Sequence, residues 1–438
     1  MIYVHVPFCR SFCTYCDFYS EVATRCRKAE EALKQEALFE DFAQALACEV
    51  RTRAGEISDD VNTLYIGGGT PSVLPLSAFQ TLLDALESVG HGGPYDEFTV
   101  EVNPEDIVEK GVPYVKGLLA LGVNRISMGV QSFDDTILKF MNRRHDAETA
   151  RKAYAILEEA GVRNISIDLI FGLPQLSSSQ WAETLNQALS ISSRGVLPQH
   201  ISSYQLSVEP GSMLARLVEK GKWAEASDEL CQEQYSALCS VLAEAGYNHY
   251  EISNFAQPGH EAVHNSAYWR HVPYVGFGPG AHSYISQLSQ ELPSDMPEVV
   301  RRLPERQWNL PDLQAYIEAG RAATFQVPGT EVPADSITDS FSRVREGETL
   351  DEEQLALERL MLGLRTSAGV PESFLRANCN PEALADALAT GLLVPSDPVL
   401  GVSADSSFCV CGVAAKEPYL RIPERHFFIS DAIIADLA

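Results

Sequence analysis

No apolar run in this 438-residue chain reaches the ~20 residues that a membrane-spanning helix needs, which argues against an integral helical membrane protein. Basic side chains are also scarce. Against 60 Asp and Glu stand 33 Lys and Arg, a formal net charge of −27, which opposes nonspecific binding to nucleic acid or to an anionic membrane surface. A secretory leader is missing and a strand-like run begins at once, so the expectation is a cytoplasmic protein whose thiols stay reduced. The ten cysteines show no evident pairing pattern, which speaks against a disulfide framework. A phosphate loop ending in GK[ST] is absent, although three consecutive glycines follow one strand-like run.

What is present starts with Cys9, Cys13 and Cys16, set directly after the apolar run 2–6. Thiolates are soft ligands suited to iron–sulfur clusters, and the CxxxCxxC spacing wraps one short loop around a single metal centre. Three ligands on a four-iron cluster leave one iron open to a small chelating molecule. The competing reading is a structural zinc site completed by His5, but zinc sites usually pair their ligands in CxxC knuckles separated by a longer loop. Cys26, Cys48, Cys231, Cys239 and Cys379 read as ordinary thiols or core residues, and the Cys409/Cys411 pair lacks further ligand spacing around it.

Short β-type runs alternate with helical patterns, the signature of repeated βα units and a parallel sheet. Strands are expected over 2–6, 63–66, 98–102, 125–128, 164–170 and 200–206, with helices such as 38–50 and 147–160 between them. Six strands suggest an open, partial barrel. Beyond them, a helix over 228–245 leads to a strand over 247–252 and then to a loop-rich stretch containing HNSAYWRHVPYVGFGPGAHSY. Residues 286–309 and 335–347 read as polar surface segments. A strong helix from 350, short helices after Pro371 and Pro381, brief β-type runs and a last helix from Ser430 make a small helical domain with a β-wing. The expected division is 1–285 as core, 286–348 as a connecting segment and 349–438 as the C-terminal domain.

Several polar residues fall at successive strand ends, where parallel α/β architectures place their ligand site. Gly67, Gly68 and Gly69 let a ligand approach the backbone at a distance any β-carbon would prevent, and Thr70 adds a hydroxyl. Strand alternation sets Glu101 opposite Phe98, Val100 and Val102. Gln131 lies just beyond a strand, Asp168 lies within one, and Arg143 in MNRRH could pair with a carboxylate.

The runs YVHVPFCRSFCTYCDF, YIGGGTPS, VEVNP, NRISMGVQSF, NRRH, DLIFGLP, SYQLSVEPGS, YEISNFAQPG, HNSAYW, GFGPGAHS and MLGLR cover nearly the whole chain. They resemble the oxygen-independent coproporphyrinogen III oxidases and their heme-chaperone relatives, within the radical S-adenosylmethionine superfamily. The resemblance implies an α/β chain with a partial (βα)6 radical S-adenosylmethionine barrel and a smaller C-terminal helical, winged-helix-like domain. It implies a [4Fe-4S] cluster on Cys9, Cys13 and Cys16. It further implies S-adenosylmethionine at Tyr3, Tyr15, Gly68, Gly69, Thr70, Glu101, Gln131, Arg143 and Asp168, while Gln205 and His282 match less securely.

Two features separate chaperone from oxidase. The oxidases place a further cysteine two residues after the third ligand, whereas Cys16 is followed here by Asp17 and Phe18; they also carry an N-terminal extension for which this sequence has no room. The HNSAYW motif, with His264, Asn265, Tyr268 and Trp269, is of the chaperone type. A neutral imidazole is a good axial ligand for heme iron, and Tyr268 and Trp269 could offer ring surface to a macrocycle. His264 is therefore the expected heme ligand, with His249, His260 and His282 as competitors and Arg270 or Arg143 as cations for the propionates. The implied partners are heme, an acceptor protein for it and an electron donor for the cluster. The alternative activity is oxidative decarboxylation of coproporphyrinogen III.

Overall fold

A computed structural model of the chain describes residues 1–23, 28–285, 303–324, 340–396 and 417–438. Strand and helix alternate through its first half as the hydrophobic pattern requires. β1 (Ile2–Val6) leads through the cysteine loop to α1 (Ala29–Thr52), β2 (Thr63–Gly68) to α2 (Leu76–Ser88), and β3 (Glu97–Val102) to α3 (Pro104–Ala120). β4 (Arg125–Gln131) leads to α4 (Asp135–Phe140) and α5 (Ala147–Ala160), and β5 (Ile165–Phe171) to α6 (Ser178–Leu189). β6 (His200–Gln205) is followed by α7 (Met213–Glu219) and α8 (Asp228–Glu244).

These six strands are parallel neighbours, as the sequence pattern leads one to expect, but the sheet has nine. β7 (Asn248–Glu251) and β8 (Asn254–Ala256) extend it antiparallel beyond β6, and β9 (Val275–Phe277) lies parallel to β1 at the other edge. The order is β9-β1-β2-β3-β4-β5-β6-β8-β7, an open sheet rather than a closed ring. Strand alternation sorts the side chains. Val4, Val6 and Ile66 face Phe42, Leu46, Phe79 and Leu82 in the core between sheet and helices. The opposite, concave face is polar: Tyr3 pairs with Tyr65, Tyr65 with Thr99, and Thr99 with Arg125, one residue per strand at one level.

The short helix α9 (Val263–Trp269) sits against the amino-terminal end of this concave face. Its first backbone amides, Val263 N–H and His264 N–H, donate to the Glu97 carboxylate at 2.7 and 3.2 Å, so an acid at the start of β3 caps the positive end of the helix.

β10 (His282–Ile285), β11 (Glu305–Asn309) and β12 (Arg345–Thr349) form a separate antiparallel sheet, with α10 (Leu313–Thr324) packed on α1. The described part of the connecting segment 286–348 therefore carries secondary structure of its own, including within the stretches 286–309 and 335–347 that read as polar surface. Sparse apolar positions, Leu313, Tyr316, Ile317 and Phe341, are buried there among polar neighbours that dominate the composition. Cys26, the stretch 286–302 and the Cys409/Cys411 pair lie outside the described residues.

The C-terminal region starts at α11 (Glu352–Leu364), whose Asp351/Gln354 capping box satisfies its first amides. β13 (Val370–Pro371), α12 (Glu372–Asn378), α13 (Pro381–Thr390), β14 (Val394–Ser396), β15 (Tyr419–Arg421) and α14 (Ser430–Leu437) follow, with β15 between β13 and β14. Backbone bonds from Ile252 N–H to the Arg365 carbonyl and from Ser367 N–H to the Tyr250 carbonyl tie this region to the sheet edge.

Candidate functional site

The cysteine loop crosses the carboxyl ends of the strands and is held from two sides. Thr14 N–H donates to the Met141 carbonyl at 3.1 Å, and Leu214 N–H to the Thr14 carbonyl at 2.8 Å. Asn142 Nδ2 donates to the Phe12 carbonyl at 2.7 Å from a left-handed backbone, φ 57°. A four-iron cubane asks for one cysteine sulfur per iron, and Cys9, Cys13 and Cys16 supply three on one short loop. Burial raises the Cys9 thiol above its ordinary value and pushes Cys16 up to about 12, so deprotonation calls for the charge of the iron itself. The donor set, three soft sulfurs on one short loop, fits a cluster.

Around that loop most of the sequence-selected residues come together. Arg143 Nη1 reaches Cys13 Sγ at 3.4 Å, while Nη2 donates to Asn103 Oδ1 at 2.6 Å and to the Gly129 carbonyl at 2.7 Å. Asn103 Nδ2 donates to Thr70 Oγ1 at 3.0 Å, and Thr70 Oγ1 lies 3.5 Å from Cys9 Sγ. One guanidinium, one amide and one hydroxyl thus link two of the three sulfurs. The charges of Cys13, Cys16 and Arg143 all act on Tyr15, placing it in the same cluster. Gln131 ends β4 with φ 67°, a conformation rare for a residue with a β-carbon, next to a register shift in the ladder to β5. A β-carbon on Gly129 would lie 2.9 Å from Gln131 Nε2 and 3.3 Å from Arg143, so the bare glycine lets those two side chains approach.

The glycine run holds the second half of the site. Gly68 has φ +105°, and a β-carbon there would sit 2.7 Å from the His5 ring; one on Gly69 would meet the Phe8 carbonyl at 2.7 Å. His5 is fixed in turn by Tyr3 Oη at 3.1 Å from Nδ1 and by the Tyr19 carbonyl at 2.8 Å from Nε2. Glu101 accepts from Tyr65 Oη at 2.6 Å and from Gly68 N–H at 3.2 Å. Burial raises its carboxyl to about 7, with Tyr65 pulling it back down; burial likewise raises Asp168 to about 6, against hydrogen bonds from serine hydroxyls. Both carboxylates face a site that would gain by taking a cation or a pair of hydroxyl donors.

His264 lies elsewhere. Its Nδ1 is 2.9 Å from Thr63 Oγ1, at the start of β2, whereas Gly68 ends the same strand, about 17 Å away at the usual rise per residue. Its Nε2 is 3.0 Å from Tyr268 Oη, its side chain is fully buried, and burial lowers its imidazole to about 3. Neither ring nitrogen is open to an iron atom. The expected heme ligand His264 is thus found inside the barrel, where α9 turns the motif inward and both ring nitrogens are engaged in hydrogen bonds. Tyr268 goes with it, against Tyr274, with ring centroids 4.7 Å apart.

Sequence reasoning missed Asn103, Tyr65 and Glu49. Asn103 stands before Pro104 at the start of α3 but makes no side-chain cap bond, which frees its amide for Thr70 and Arg143. Tyr65 looks like an ordinary aromatic strand residue. Glu49 reads as part of an amphipathic helix, yet it is fully buried and accepts from Arg53, Gly278 N–H, Asn309 and Tyr316, at 2.6 to 2.9 Å.

Residues 3–188 match the family model of the radical SAM superfamily. Heme chaperone HemW of Synechocystis sp. is 32% identical over 369 residues, covering 84% of this chain and 78% of that protein. HemW of Bacillus subtilis is 35% identical over 285 residues, 65% of this chain and 70% of that one. Among solved structures, coproporphyrinogen III oxidase (HemN) from Escherichia coli superposes with a TM-score of 0.70 over 99% of this chain and 89% of that one; at 20% identity this likeness shows the fold.

Proposed function

The chain belongs to the HemW family of heme chaperones within the radical SAM superfamily, and from that premise we propose that it binds heme and passes it to an acceptor protein. The observation that carries this reading against the oxidase is local. After the third cluster cysteine the chain runs Asp17-Phe18, both exposed, in place of a second cysteine. Cys9, Cys13 and Cys16 would each hold one iron of a [4Fe-4S] cluster, leaving the fourth for the amine and carboxylate of S-adenosylmethionine. When bound, that pair supplies one-electron chemistry at a site otherwise built for binding.

The protein's own residues prepare the site. Arg143 brings a positive charge to Cys13, offsetting the anionic sulfurs. Thr70 and Asn103 fix the orientation of Cys9 relative to that guanidinium. Gly68 and Gly69 open the backbone to a ligand, and Tyr3, through His5, holds the wall behind them. Glu101, ionised above about pH 7, is placed to accept ribose hydroxyls, with Asp168, Gln131 and Tyr15 around the rest of the nucleoside. The partners are heme, an acceptor and an electron donor, and the location is the cytoplasm. No helix among the described residues is long and apolar enough to cross a membrane.

Anaerobic reconstitution tests the reading. Hemin titration should shift the Soret band with saturable stoichiometry, and coproporphyrinogen III should survive incubation with reductant and S-adenosylmethionine. Porphyrinogen consumption coupled to release of 5′-deoxyadenosine would instead establish the oxidase.

A further inference from the structure

All ten histidines fall among the described residues, and of these only His282 is exposed. Neither of its ring nitrogens hydrogen-bonds to another described residue, in contrast to His264, whose two nitrogens are both engaged. His282 opens β10, immediately after the GFGPGA turn. Its position follows from two registers. Tyr3 pairs with Gly276 between β1 and β9, and the Tyr274/Tyr284 bridge brings the returning chain alongside, so that His282 lies opposite Gly276. A β-carbon on Gly276 would fall 2.0 Å from the His282 carbonyl oxygen, so only glycine permits this approach. His282 therefore stands at the level of Tyr3, beside β9 at the edge of the nine-stranded sheet, and close enough for its charge to act on His5.

The surroundings orient the ring. Trp308 is the direct partner of His282 in the β10/β11 ladder, and the two rings stack at 6.0 Å with planes 27° apart. The stacked indole fixes the plane of the imidazole and so the direction of its ring nitrogens. Partial desolvation by its neighbours and the Arg306 charge lower the imidazole's proton affinity, which leaves its lone pair available to metal. The mount is rigid as well. Asn309 N–H donates to the Ala281 carbonyl at 2.9 Å, Gly280 N–H to the Asn309 carbonyl at 3.2 Å, and buried Glu49 gathers Gly278 and Asn309 beneath the turn.

We propose that His282 is the axial ligand that receives heme iron, with Trp308 setting the plane of its ring, at the rim of the S-adenosylmethionine site. This assignment rests on the heme-binding reading above. The HNSAYW motif then contributes from below, as a structural plug.

The test uses the full-length, anaerobically reconstituted protein as wild type, His282→Ala and His264→Gln, with circular dichroism to verify folding. The wild type should give the Soret and low-temperature electron paramagnetic resonance signature of imidazole-ligated heme. His282→Ala should lose that signature and regain it on addition of free imidazole, while His264→Gln keeps it. Retention of the wild-type spectrum by His282→Ala, or its loss in a folded His264→Gln protein, would overturn the proposal. A wild type that binds no heme at all would sink the chaperone reading as well, so the two failures are distinguishable.

Discussion

The imidazole of His264 lies against the phenol ring of Tyr65, with centroids 5.1 Å apart and planes at 28°, while the Tyr65 hydroxyl donates to Glu101 at 2.6 Å. The buried motif at one end of the barrel is thus in contact with the carboxylate at the other through a single side chain. Tyr65 shapes both ends.

Removing the Tyr65 hydroxyl should raise Glu101 above its value of about 7, because that donor favours the ionised carboxylate. For the wild type, S-adenosylmethionine affinity is predicted to climb between about pH 6 and pH 8 as Glu101 ionises. In Tyr65→Phe the climb should move to higher pH, with affinity at neutral pH falling by about tenfold, the loss of one hydrogen bond to a charged group. Calorimetric titration across that range decides, and an unshifted profile would rule out the coupling.

His264→Ala should destabilise the fold by about 2 to 4 kcal/mol, since it opens a cavity and strands Thr63 Oγ1 and Tyr268 Oη. The pH dependence has a definite sign. Folded His264 is held at about 3 against an ordinary 6.5, so the unfolded chain binds the extra proton between those values. Its contribution is therefore present above 6.5 and lost as pH falls toward 3. Denaturant melts of wild type and mutant should converge on acidification; parallel curves would contradict the assignment.

Gly68→Ala is expected to abolish S-adenosylmethionine binding while leaving the chain folded. The left-handed backbone costs an alanine about 1 to 2 kcal/mol, and the new β-carbon, 2.7 Å from His5, must push that ring out of the wall. Equilibrium dialysis with labelled ligand checks the first part and a thermal melt the second. Wild-type affinity in the mutant would show that the glycine is only a turn.

Glu49→Ala should cost about 3 to 5 kcal/mol, because it leaves the Arg53 guanidinium buried with less compensation and releases Gly278, Asn309 and Tyr316 together. Faster proteolysis around the GFGPGA turn is the accompanying sign. A loss below about 1 kcal/mol, the range of a surface pair, would mean that the network is replaceable.

Much of the architecture is legible in the amino-acid sequence. Strand β1 and helix α5 have the expected limits, and the other parallel strands differ by a few residues at their ends, since period-two alternation and amphipathic spacing are local properties. The edge strand β9 escaped notice because a three-residue run inside a glycine-rich turn carries no periodic signal. β11 escaped because ERQWN is polar and its pairing partners are distant in sequence.

The site divides along the same line. The cysteine spacing, the glycine run and the strand-end carboxylates are local patterns whose chemistry depends on residue type, and together with the family resemblance they gave the expectation of a cluster and a nucleoside partner. Which end of the barrel each motif occupies was a different matter. His264 and His282 stand eighteen positions apart on one loop-rich stretch, and nothing in their neighbours distinguishes a buried imidazole from an exposed one. Only the packing of α9 onto Glu97 and the return of β10 past Gly276 decided that, because burial and open coordination sites come from contacts between segments remote in the chain.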